Sequence, residues 1–185
     1  RMTIDGDQHA MLKRLALSDE VHEKLAIYCV EKGVEFLSTG FDTASIDLLL
    51  SLGMRRLKIP SGELTNKHLV EYIASFDLPI ILSTGMSTMS EVEEAVSWVR
   101  NVRERRSFQR ALSERLTLLH CTSSYPAPLD SVNLKAMQTL AERFRLPVGY
   151  SDHTAGVLVA PVSVAMGGTV VEKHFTLDRQ LDGPD

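Results

Sequence analysis

The chain has 185 residues, with 20 Lys and Arg against 24 Asp and Glu, a net charge of −4, 44% hydrophobic and 24% charged residues. These are the proportions of an ordinary globular domain; they exclude disorder, a collagen-like repeat and a coiled coil, and the mild acidity argues against nucleic acid as a partner. The longest uncharged apolar stretch, residues 157–171, is broken by Pro161, Gly167 and Gly168, and at about 15 residues it is shorter than the roughly 20 a membrane span takes.

The polar, acidic start at residues 1–7 predicts no signal peptide. Residues 7–32 read as helical, with a break near Ser18-Asp19-Glu20 where a second helix is capped. A short apolar run follows, Val34-Glu35-Phe36-Leu37-Ser38, the first of six. The others are Arg56-Leu57-Lys58-Ile59, Pro79-Ile80-Ile81-Leu82, Leu116-Thr117-Leu118-Leu119-His120, Pro147-Val148-Gly149-Tyr150 and Thr169-Val170-Val171-Glu172. Each is too short for a helix, and most are rich in Leu or β-branched residues, so each is expected to be a strand.

The intervening segments read as helices. One covers residues 45–52 and stops at Gly53. The next opens at Ser87-Thr88-Met89-Ser90, where Ser90 and Glu93 have capping-box spacing. Its basic end, with Arg100, Arg103, Arg105, Arg106 and Arg110, is expected to be solvated. Residues 132–144 place Leu134, Met137, Leu140, Ala141 and Phe144 on one stripe. Strand-to-strand spacings of about 22–38 residues suit tight βα units, which need about 30. An α/β fold with a parallel sheet is therefore predicted, either an open doubly wound sheet or a portion of a (β/α)8 barrel. Two cysteines, Cys29 and Cys121, cannot build a disulfide framework and suit a reducing cytoplasm.

Polar residues gather where the expected strands end. The turns are Ser38-Thr39-Gly40-Phe41-Asp42, Lys58-Ile59-Pro60-Ser61-Gly62-Glu63, Ser83-Thr84-Gly85, His120-Cys121-Thr122-Ser123-Ser124-Tyr125, Ser151-Asp152-His153 and Glu172-Lys173-His174. Ligands of parallel α/β folds bind at these carboxyl ends, so the six rims together read as an active site. Ser151 and His153 share a face, as do Glu172 and His174. If their strands are neighbours, the two imidazoles meet at one rim, as two ligands of a divalent metal or as two histidines bonded to backbone. Asp152 or Glu172 is a candidate to orient a ring.

Lys58 is a charge inside an apolar strand, which calls for a partner such as Glu63 or Glu172, or a bound anion. Ser61, Ser83, Thr84, Ser123 and Ser151 offer donors suited to a phosphate. Glu63 reads either as a general acid or base or as a cap for the helix opening at Thr65-Asn66. His9, His22 and His68 are expected to be solvated, and His120 to be a hydrogen-bonded core residue. No Walker loop or GxGxxG is present, so no nucleotide cofactor is expected.

The motifs Lys58-Ile59-Pro60-Ser61-Gly62-Glu63-Leu64-Thr65-Asn66, Ile81-Leu82-Ser83-Thr84-Gly85-Met86, His120-Cys121-Thr122-Ser123-Ser124-Tyr125-Pro126, Gly149-Tyr150-Ser151-Asp152-His153-Thr154 and Val171-Glu172-Lys173-His174-Phe175-Thr176-Leu177-Asp178 resemble the sialic acid synthase family. That family comprises N-acetylneuraminate synthases and bacterial relatives for legionaminic and pseudaminic acid and spore-coat polysaccharide. The resemblance implies a (β/α)8 TIM barrel in which these residues supply six strands and lack the first two βα units. It also implies that the family's C-terminal antifreeze-like domain is absent here, that the natural protein is longer, and that these residues alone are inactive.

The activity implied is condensation of phosphoenolpyruvate with an N-acetylated aldose such as N-acetylmannosamine, giving a nine-carbon 2-keto sugar acid and phosphate. By the same resemblance His153 and His174 hold Mn²⁺ or Mg²⁺, and Lys58, Thr39, Ser61, Ser83, Ser123 and Ser151 hold phosphoenolpyruvate. Glu63 is the acid/base carboxylate, and Tyr125, Glu172 and Asp185 face the sugar. Many relatives carry Pro at the position of Gly40 and Asn at that of Ser123. A cytoplasmic homodimer with no membrane or nucleic-acid partner is implied. Two other readings are a synthase of 2-keto-3-deoxy acids acting on a phosphorylated aldose, and a non-catalytic fragment or relative. The former needs basic groups for a second phosphate, where the rims offer only Lys58 and Lys173.

Overall fold

The computed structural model describes residues 13–178 and 180. After helix α1 (Asp19–Glu31) and helix α2 (Thr43–Ser51), the chain alternates β1 (Leu57–Ile59), α3 (Lys67–Ala74), β2 (Ile80–Ser83), α4 (Met89–Arg105), β3 (Leu116–Cys121), α5 (Lys135–Phe144), β4 (Val148–Asp152), α6 (Val159–Ala165) and β5 (Val170–Lys173). The five strands form one sheet in the order β1-β2-β3-β4-β5, every pair parallel. Sequential parallel strands with a helix between each pair are successive units of a barrel wall, and the sheet is an incomplete (β/α)8 barrel.

Five strands stand where six are expected. The run Val34-Glu35-Phe36-Leu37-Ser38 is extended but unpaired among the described residues. Phe36 packs against the core, whereas Val34 is exposed, Glu35 pairs with Arg56 at 2.8 Å and the Ser38 amide reaches Met54 Sδ at 3.3 Å. An apolar run favours burial, but a strand also needs a neighbour to accept its backbone hydrogen bonds.

The helix starts follow their chemistry. Ser18 precedes α1, with Asp19 and Glu20 in the first turn favouring the helix dipole. Asp42 caps α2, its carboxylate accepting the Ser45 amide at 2.7 Å. The capping box of α4 is Thr88 with Glu91, two residues before the expected Ser90 and Glu93. Both pairs have the required spacing, and the earlier one wins because the helix already begins at Met89. The arginines at the end of α4 are exposed except Arg103, which is buried and donates to Asp77 at 2.6 Å and to the Arg110 carbonyl at 2.7 Å. Among the described residues no helix is long and apolar enough to cross a membrane, and Cys29 and Cys121 are both free.

Register sorts the side chains. Leu57 pairs with Ile80, Ile80 with Leu116, Leu118 with Val148, and Tyr150 with Val171. Leu57, Ile59, Ile80, Leu82, Leu116, Leu118, Val148 and Tyr150 therefore point to the helices, where they form the core with Ile46, Leu69, Ile73, Val96, Val99, Met137 and Leu140. Burial of each such side chain contributes about 1.5–3 kcal/mol. The alternate residues, Lys58, Ile81, Ser83, Leu119, Cys121, Gly149, Ser151, Val170 and Glu172, line the opposite, inner face.

Candidate active site

The inner face carries one connected set of polar groups. Lys58 is 5% exposed and donates to Ser83 Oγ at 2.6 Å, while its Nζ lies 3.7 Å from Glu172 Oε2. Of the two partners open to it in sequence, the fold selects Glu172. The other oxygen of Glu172 accepts the Ser151 hydroxyl at 2.7 Å. Ser151 Oγ stands 3.4 Å from His153 Nε2, and His153 Nδ1 donates to the Thr122 carbonyl at 2.7 Å. Burial pulls the Lys58 ammonium below the ordinary lysine range, and the nearby Glu172 charge works in the opposite direction.

At the rim the imidazoles of His153 and His174 lie 5.2 Å apart, centroid to centroid. The Tyr125 ring covers both, 4.2 Å from His153 and 5.6 Å from His174. Because a carbonyl only accepts, the proton of neutral His153 sits on Nδ1, and Nε2 presents a lone pair towards the inner face. That is the tautomer and second-layer bond of a metal-ligating histidine. Among the described residues no cluster of three His, Cys, Asp or Glu side chains is grouped to hold a metal ion. Two imidazoles therefore fit a divalent cation only with water or substrate completing its shell.

Beside this row the turn Ser61–Glu63, a single 3-10 turn after β1, meets the ends of β2 and β3. Ser61 Oγ accepts the Gly85 amide at 2.9 Å and touches Cys121 Sγ at 3.2 Å. A Cβ on Gly85 would lie 2.6 Å from Ser123 Oγ, 2.7 Å from Cys121 Sγ and 2.9 Å from Ser61 Oγ. The absence of a side chain at 85 is what lets these three groups converge. Glycine is required again at 149, where a Cβ would meet the Val170 carbonyl at 2.2 Å and Leu119 Cδ2 at 2.7 Å. Hydroxyls beside a buried ammonium make a cradle for an anion.

The remaining candidates are distributed as follows. Glu63 Oε2 accepts the Asn66 side-chain amide at 2.8 Å. The cap of α3 is Asn66 itself, whose Oδ1 accepts the Leu69 amide at 3.2 Å, so Glu63 supports the cap without forming it. Thr39 is half-buried in the unpaired extended segment. Asp185 and His9 lie outside the described residues. His68 is exposed; His22 is half-buried, with Nδ1 on the Ser18 carbonyl at 3.1 Å. His120 is turned to the helix side, where it donates to the Val132 carbonyl at 2.7 Å. Burial holds its pKa below the usual histidine value, with the Val132 bond acting the other way. Asp152 orients neither ring by any hydrogen bond it makes; it bonds Thr154 and Lys173 on the outer side.

Sequence reasoning left Cys121 and Gly85 out of the site. The signal for both was their position beside Ser123 and Thr84 in the rim turns, but their convergence on Ser61 is a tertiary fact.

A family model described as the NeuB family matches residues 2–185. The chain is 54% identical over 178 residues to the N,N'-diacetyllegionaminic acid synthase of Legionella pneumophila subsp. pneumophila, covering 96% of the chain and 49% of that protein. It is 47% identical over 181 residues to the protein of the same name from Campylobacter jejuni subsp. jejuni, covering 98% of the chain and 52% of that protein. The chain thus spans about half the length of the curated relatives it matches. A crystal structure of N-acetylneuraminic acid (sialic acid) synthetase from Leptospira borgpetersenii serovar Hardjo-bovis in complex with citrate superposes with a TM-score of 0.84 at 33% identity. The match covers 94% of this chain and 59% of that one.

Proposed function

The chain belongs to the NeuB family, and from that premise we propose that the protein condenses phosphoenolpyruvate with an N-acetylated aldose to form a nine-carbon 2-keto sugar acid and phosphate. The observation that carries this reading is the inner-face row itself, a buried lysine and three serines leading to a pair of histidines. The names of the Legionella and Campylobacter relatives favour a diacetylated sugar as the acceptor.

Lys58, Ser61, Ser83 and Ser123 hold the phosphate and carboxylate of phosphoenolpyruvate by charge and hydrogen bonds. Its C3 attacks the aldehyde carbon, forming the new C–C bond, while the carbonyl oxygen takes up a proton. Water adds at C2 and gives up one proton; as the tetrahedral intermediate breaks its C2–O bond to phosphate, the new C2 hydroxyl passes its proton to the departing phosphate and becomes the keto group. Glu63, in the same turn as Ser61, exchanges these protons. Glu172 accepts a sugar hydroxyl while holding Ser151 in place, and Tyr125 packs on the acceptor. His153 and His174 would hold a divalent cation, which when bound polarises the aldehyde carbonyl.

A synthase acting on a phosphorylated aldose is disfavoured by Lys173. Its ammonium is already engaged by the fully buried Asp152 at 3.0 Å and by the Thr154 carbonyl at 2.9 Å, leaving Lys58 as the rim cation for the first anion. The test is phosphate release from phosphoenolpyruvate by the full-length protein. Release is expected only when an N-acetylated hexose and Mn²⁺ or Mg²⁺ are both present. Release without sugar or without metal, or release with a phosphorylated aldose alone, would contradict the reading.

A further inference from the structure

The β4–β5 ladder ends at the pair Asp152 and Lys173, and the two histidines are the next residue on each strand. No ladder pair holds His153 against His174. On the outer side of the sheet, however, two bonds from one side chain tie the strand ends together, and two more brace β4. Lys173 Nζ donates to Asp152 Oδ2 at 3.0 Å and to the Thr154 carbonyl at 2.9 Å, so one ammonium grips β4 immediately before and immediately after His153. Asp152 Oδ1 closes the loop by accepting the Thr154 amide at 2.9 Å and the Thr154 hydroxyl at 2.7 Å.

Asp152 is fully buried and Thr154 nearly so. Burying a carboxylate is justified energetically only when its lone pairs are filled, and three donors fill these. Similar bonds could serve stability alone, but the two backbone positions they bracket are the histidine positions. Their spacing, 5.2 Å between ring centroids, is the geometry on which any shared ligand depends.

We propose that Asp152, Thr154 and Lys173 form a positioning clamp that sets the separation of His153 and His174, and with it the affinity of the pair for a divalent cation. This inference rests on the metal reading given above. The clamp touches neither imidazole from the inner face, and it acts through the backbone of the two strand ends.

The test is Mn²⁺ binding to the full-length protein, followed by electron paramagnetic resonance without substrate, with thermal unfolding measured in parallel. Lys173→Met is expected to weaken Mn²⁺ binding by about tenfold or more, the range typical of groups that orient ligands, and Lys173→Arg to restore most of it. Arg103→Met serves as the control. It removes a charge still more buried than Lys173, from the Asp77 pair at the opposite end of the sheet, and is expected to lower the melting temperature without changing Mn²⁺ affinity.

If Lys173→Met does not fold, Thr154→Val, which removes only one hydroxyl donor, is expected to weaken Mn²⁺ binding severalfold in a folded protein. Unchanged Mn²⁺ affinity in a folded Lys173→Met or Thr154→Val protein would overturn the clamp while leaving the metal site standing. Failure of the parent protein to bind Mn²⁺ would overturn both.

Discussion

The two faces of the five-stranded sheet come from the same strands and are both largely buried, yet they use their side chains in opposite ways. The outer face is Leu, Ile and Val against helices, a packing in which each residue lowers the free energy of folding. The inner face keeps Lys58, Ser83 and Ser151 at 5%, 3% and 2% exposure. Polar groups so placed cost free energy unless every one finds a partner. Stability therefore resides on the outer face, and the inner face spends part of it on holding polar groups in a fixed row.

The sharpest way to separate the faces is to exchange a charge for an isostere on one and make a cavity on the other. Lys58→Met should lower phosphate-forming activity by roughly a hundredfold to a thousandfold, the scale of losing one preorganised charged donor. The melting temperature should hold or rise, because Met avoids the cost of burying an ammonium and Glu172 stays hydrated with its side chain 43% exposed. Leu118→Ala on the outer face should do the reverse. It should lose about 2–5 kcal/mol of stability with the turnover of the surviving folded enzyme little changed. Both are read by paired activity and denaturation curves.

A smaller effect is expected from Gly149→Ala on the inner face. The new methyl would press on the Val170 carbonyl, and relief requires β4 and β5 to part, at about 1–3 kcal/mol. Smaller still is the acid limb contributed by Asp152. Burial would raise its carboxyl, but the Thr154 hydrogen bonds and the Lys173 ammonium outweigh that and hold it below the usual carboxylate range. With the folded value below the unfolded one, its stabilisation is complete above the ordinary Asp value of about 3.9 and is lost as pH falls through the folded value. Asp152→Asn should flatten that part of a plot of melting temperature against pH. Least of all, removing the exposed pair of Arg143 with Glu93 should change stability by no more than about 1 kcal/mol.

Much of this division was legible in the sequence. Lys58 stood out as a charge inside an apolar run, Ser83 fell in the turn that follows one, and the i, i+2 relation put Ser151 with His153 and Glu172 with His174. What was not legible depends on partners distant in sequence. Residues 34–38 carry a strand's composition but make no ladder among the described residues. Thr88 and Ser90 both have a Glu at the right spacing, and only the helix start distinguishes them. Arg103 reads as one more arginine in a basic run until Asp77, from another connection, is brought beside it. Cys121 joins the site through Ser61, a residue two strands away in the sheet.

The most direct measurement is a crystal of the full-length protein soaked with Mn²⁺ and phosphoenolpyruvate, examined by anomalous scattering. The manganese peak is expected between His153 and His174, with His153 Nε2 as a ligand and phosphoenolpyruvate beside Lys58 and Ser61. A peak away from both histidines, or phosphoenolpyruvate bound with Lys58 still closed on Ser83 and Glu172, would contradict the assignment of the inner face as the reactive one.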